Sequence, residues 1–112
     1  MSNHAYITPK KLPPVKQIDR DIRGIVERQF PQLTLQFDEK EKSWLLSYNK
    51  DGYCYLSFWI GRDDRNKSCI EFRHNNRYEF LWWVEYEVRE QLAVKYKARC
   101  YDEGIGDRKS VV

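Results

Sequence analysis

Between Tyr78 and Lys97 the chain runs YEFLWWVEYEVREQLAVKYK, twenty residues without glycine or proline and rich in helix formers. This stretch limits the fold more than any other, because it must be a helix and must bury one side. Leu81, Val84, Val88 and Leu92 recur at steps of three and four, giving an apolar stripe about 100° wide, as on a helix that sits on a core. Glu85 and Arg89 lie four apart in the favourable order. Trp82, Tyr86 and Ala93 gather on a second arc beside Glu79 and Glu90. The helix is therefore apolar in two directions: one arc faces the core, and the other calls for a partner.

The core this helix covers has to come from the preceding residues. Pro13-Pro14 ends a polar segment read as a loose tail over 1–14. Val15, Ile18, Ile22, Ile25 and Val26 then keep helical spacing, predicting an amphipathic helix from Val15 to Gln29 that Pro31 stops. Gly24 weakens that helix by about 1 kcal/mol relative to Ala or marks a close helix crossing. Leu33, Leu35 and Phe37 alternate with polar residues as in a half-buried strand. Further strands are expected over Ser43–Tyr48, Tyr53–Ile60 and Lys67–Arg73, with Asp51-Gly52 in a tight hairpin and GRDDRN in a charged turn. Asn76 with Glu79 fits a capping box for the long helix.

Periodicity fades after Arg99, so 100–112 reads as a second flexible tail. The length suits one domain, here spanning 15–99. Its element order α-β-β-β-β-α predicts an α+β fold, a four-stranded antiparallel sheet with the N-terminal and C-terminal helices packed on one face.

Given an even-length hairpin connection, even residues of the second strand stand beside odd residues of the third. One face then carries Leu45, Ser47, Cys54, Leu56, Phe58 and Ile60, and the other Trp44, Leu46, Tyr48, Tyr53, Tyr55, Ser57 and Trp59. The aliphatic face suits the helices, with Ile70 and Phe72 expected to join it. The aromatic face is left as a contact platform, since Trp and Tyr keep a polar tip that can meet water or a ligand.

Charge narrows the partners. Lys and Arg number 20 against 17 Asp and Glu, a net +3, which permits nucleic acid without demanding it. No stretch approaches the ~20 apolar residues of a membrane span, and no apolar signal-like run opens the chain. Three cysteines without paired spacing suit reduced thiols and a cytoplasmic location.

A search for chemistry finds little. Asp63, Asp64, Glu71, Arg73 and His74 come nearest to a catalytic set, but Arg73 cannot act as a base, and a charged turn beside a strand end explains them. Cys69 and His74 lack two further zinc ligands. There is no nucleophile elbow and no glycine-rich phosphate loop. No cofactor, metal or catalytic residue is expected. The sequence points to a non-catalytic binding or assembly module, with an unidentified protein or a second copy of the chain as partner. Its expected contact residues are Trp44, Tyr48, Tyr53, Tyr55 and Trp59 on the sheet and Trp82 and Tyr86 on the last helix. The alternative is single-stranded nucleic acid, stacked on the sheet rings and held by Arg62, Arg65 and Arg73.

Overall fold

A computed structural model describes residues 3–48, 51–63, 65–74, 79–102 and 106–109, with the side chains at 5–47, 56–63, 65–73 and 80–101. In chain order the elements are β1 (Asn3–Thr8), α1 (Val15–Gln29), β2 (Leu33–Asp38), β3 (Ser43–Tyr48), β4 (Asp51–Arg62), β5 (Ser68–His74), α2 (Glu79–Lys95), β6 (Arg99–Asp102) and β7 (Gly106–Lys109). The strands form one antiparallel sheet in the order β2-β3-β4-β5-β1-β6-β7.

The α+β class, the two helices and the antiparallel pairing agree with expectation, but among the described residues the sheet has seven strands rather than four. The three additional strands come from the segments read as tails. β1 lies between β5 and β6 and pairs with both, Ile7 standing opposite Ile70 on one side and Cys100 on the other. Its six residues hold only two aliphatic side chains, Ala5 and Ile7. Neither is notable in sequence, yet both are buried, and having a neighbour on each edge fixes a strand that local propensity would not.

Both helices pack on the same side of the sheet. Ile18, Ile22, Ile25 and Val26 of α1 join Val84, Val88, Leu92 and Ala93 of α2 in one core with Ala5, Ile7, Leu46, Phe58, Ile70 and Phe72. α1 starts where Pro14 offers its carbonyl to the amides of Gln17 and Ile18 at 3.0 and 3.1 Å, proline needing no donor of its own there. A Cβ on Gly24 would meet only the Arg28 guanidinium, at 3.7 Å, so the close-crossing reading does not hold. The helices are tied to each other by the Tyr96 hydroxyl, which donates to Asp21 Oδ2 at 2.6 Å, and by Lys95 Nζ, 3.0 Å from Asp21 Oδ1. The proposed Asn76 cap lies outside the described residues, and Asp51 and Gly52, expected in the hairpin turn, lie instead in β4, with Asp51 opposite Tyr48.

The expected division of sheet faces is reversed in part. Trp44 stands opposite Phe58 and Leu46 opposite Leu56, so even residues meet even residues. The cause is a register shift: Ser47 pairs with Tyr55 but Tyr48 pairs with Asp51. Three extra residues of β4 are inserted there, and an odd number inverts the parity of everything beyond it. Trp44 and Leu46 therefore belong to the core together with Leu56, Phe58, Ile70 and Phe72. The face without helices carries Leu45, Ser47, Ser57, Trp59, Cys69, Glu71 and Arg73, and beyond them Tyr6 and Tyr101.

Cys69 is fully buried although it belongs to that second face. Burial pushes its thiol from the ordinary 9.0 up to about 12, the Glu71 and Asp63 carboxylates adding to the shift and a backbone hydrogen bond at Gly61 opposing it. Burial and the bond to Asp21 likewise raise the Tyr96 hydroxyl above its usual range. A raised folded pKa keeps its full contribution to stability below the unfolded value and loses it as pH climbs toward the folded one. Melting temperature should accordingly fall between about pH 9 and 12, following the Cys69 shift. Cys69→Ala should show a shallower fall across the same window, measured by circular dichroism; parallel curves for the two proteins would rule out a thiol contribution.

Candidate functional site

The last helix places its rings where its spacing predicts. Successive residues are 100° apart on a helix, and the buried positions of α2, from Leu81 and Val84 through Glu85, Val88 and Arg89 to Leu92 and Ala93, occupy half its circumference. Trp82, at the edge of that half, is 47% exposed, and the outer arc beyond it carries Tyr86 at 38% and Trp83 at 54%. Trp83 and Tyr86, one turn apart, stack with ring centroids 6.0 Å apart and planes at 17°. Trp82 and Tyr86 are thus exposed as expected. Ala93, assigned by sequence to the same arc, is buried instead. Trp83 joins Trp82 and Tyr86 outside the expected set, as its spacing of three from Tyr86 on a helix allows.

Behind this arc lies a buried charge pair. Arg89 Nη1 donates to Glu85 Oε1 at 3.2 Å, the two residues being 1% and 5% exposed. The Arg89 guanidinium also sits 5.8 Å from the centroid of the Tyr86 ring. One side of the exposed phenol is therefore backed by a cation held inside the protein, which restricts the ring and polarises its face.

On the sheet, the expected platform does not assemble as drawn. Trp44 is 1% exposed; its indole stacks on Phe37 at 5.1 Å and its Nε1 donates to Asp19 Oδ1 at 3.0 Å. It fastens α1 to the sheet and is unavailable to a ligand. Trp59 does lie on the helix-free face, half-buried, with Nε1 donating to Glu71 Oε2 at 3.0 Å and the Arg73 guanidinium 5.9 Å from the ring centroid. Gly61 makes room for the Glu71 carboxylate, which a Cβ at that position would overlap. The side chains of Tyr48, Tyr53 and Tyr55 lie outside the described set.

The three arginines do not converge on one site. Arg62 Nη1 donates to the Asn66 carbonyl at 2.9 Å, Arg73 leans on Trp59, and Arg65 points to a different region. There, the end of β1, the β4–β5 turn and the start of β6 enclose a groove of about 450 Å³. Its lining includes Tyr6 and Tyr101, opposite each other on β1 and β6 and stacked at 4.9 Å. Lys10, Arg65, Lys67, Lys97 and Arg99 rim the groove, with Asp63 as the one acidic member of the described lining. Sequence named Arg65 as a contact but offered no signal joining it to the others, which are spread over ninety positions.

The loose catalytic set reduces to structural contacts where it is described. Asp63 Oδ1 accepts the amides of Arg65 and Lys67, each at 2.9 Å, and Glu71 holds Trp59. Among the described residues no three His, Cys, Asp or Glu side chains converge as metal ligands, and no helix is long and apolar enough to cross a membrane. No protein-family model, curated protein or solved structure matches the chain.

Proposed function

We propose that the protein is a non-catalytic assembly module that pairs with a second copy of itself through the outer arc of α2. The observation that supports this reading is the exposure of three neighbouring rings, Trp82, Trp83 and Tyr86, on one rigid helix. Tryptophan and tyrosine are the side chains that most often dominate protein contacts, and two-fold use of one patch is the commonest form of association. At the exposures above, rings of this size present roughly 300 Å² per subunit. A standard interface takes about 800 Å² from each partner, so the pairing is weak and concentration-dependent, with the rings as its centre.

Light scattering tests this directly. The mass should rise from the 13.7 kDa of one chain toward twice that value with concentration. High salt should not reverse the rise, because apolar burial drives it. A Trp82→Ala/Trp83→Ala variant should remain monomeric while keeping its helical circular dichroism. A wild-type protein that stays monomeric at every concentration overturns the proposal.

A further inference from the structure

The groove beside β1 and β6 suggests a second contact of a different chemical kind. We propose that it binds phosphate esters carried next to a planar ring, that is, a nucleotide, either free or as a unit of a single strand. The topology assembles it from three separate segments. Lys10 follows β1, Arg65 and Lys67 belong to the β4–β5 turn, and Lys97 and Arg99 lead into and begin β6. Among the described residues five cations and one carboxylate, that of Asp63, line this groove, in a chain of net charge +3. Asp63 directs its Oδ1 to the amides of its own turn, which fixes the backbone that carries Arg65 and Lys67.

The groove holds ring surface as well as charge. The Tyr6–Tyr101 stack offers the aromatic surface on which bases stack with little regard to their identity. Arginine at Arg65 adds the planar fork that matches phosphate oxygens, and lysine adds point charge. A volume of about 450 Å³ is within the range of small-ligand sites, roughly 300 to 1,000 Å³.

Lys97 supplies an independent observation. α2 ends with the amide of Ala98 bonded to the Ala93 carbonyl at 2.8 Å and that of Lys97 to the Val94 carbonyl at 3.3 Å, with Lys97 at φ 52°. This is the left-handed cap position that usually takes glycine. A lysine there takes a backbone conformation that glycine holds without strain, and it lines the groove.

The variant that tests the site follows from this geometry. Lys97→Gly removes the charge while suiting the cap, and Lys67→Gln removes a second charge from the turn. Binding of a short fluorescent oligothymidylate is read by anisotropy, with adenosine monophosphate and polyglutamate as competitors. Three phosphate contacts at ~0.7 counterions each predict an affinity loss of about 20-fold between 50 and 200 mM salt. The double variant should bind about tenfold more weakly with a shallower salt slope. Lys42→Gly, which relieves the same backbone conformation at φ 53° in the β2–β3 turn, should leave binding unchanged.

Competition by adenosine monophosphate would identify a free nucleotide as the ligand, and its failure against a bound oligonucleotide would identify a strand; both support the site. Equal competition by polyglutamate, no binding at low salt, or full binding by the double variant overturns it. Since the Trp82→Ala/Trp83→Ala variant leaves the groove intact, oligonucleotide binding by that variant separates this inference from the assembly reading.

Discussion

Arg89→Ala is expected to destabilise the protein by about 3 to 5 kcal/mol, the usual cost of removing one partner from a buried ion pair. The residues are 1% and 5% exposed, so the Glu85 carboxylate would be left charged in a poorly solvated site. A domain of this size has about 5 to 15 kcal/mol to lose, and the single variant should therefore unfold at markedly lower denaturant. Replacing both, as Glu85→Leu/Arg89→Met, should recover most of the loss, because desolvating two charges offsets much of their attraction. Urea unfolding of the three proteins reads both effects. A cost below about 1 kcal/mol for Arg89→Ala would be the value of a solvated surface pair and would contradict the burial described above.

Trp44→Ala should cost about as much, roughly 3 to 5 kcal/mol for a large aromatic in a full core. The indole contributes through two routes. It fills space between Phe37 and Phe58, and its Nε1 reaches Asp19 on α1. Trp44→Phe separates them, since it keeps most of the apolar volume and loses a hydrogen bond worth about 1 kcal/mol. Trp59→Ala makes the comparison decisive. That ring is half-buried on the helix-free face, where its bond to Glu71 and its contact with Arg73 are together worth about 1 to 2 kcal/mol. Equal losses at the two tryptophans would show that the face assignment is wrong.

This pair of tryptophans also shows where reading the sequence stops. Period two correctly identified β3 and β4 and put alternate residues on opposite faces, because strand geometry imposes that alternation locally. It could not say which set faces the helices. That depends on the three-residue shift between Ser47 and Tyr48, a property of how two strands meet. The helices were more legible. α1 runs from Val15 to Gln29 as its spacing predicts, and α2 buries Leu81, Val84, Val88 and Leu92 as expected. Glu85 and Arg89 illustrate the limit even there: their spacing was visible, but their burial was not, because half the circumference of α2 is enclosed rather than a narrow stripe.

The local pattern of residues was enough to determine the two helices, four of the strands, the aliphatic part of the core and the exposure of Trp82 and Tyr86. Each of these follows from periodicity within one segment, and a segment carries its periodicity wherever it packs. Tertiary structure alone decided the strands β1, β6 and β7, the burial of Trp44 and the basic groove. Strands as short as Asn3–Thr8 and Arg99–Asp102 are held by partners far away in the chain. The register of those pairings brings Lys10, Lys67 and Lys97 to one groove, and no local pattern encodes that meeting.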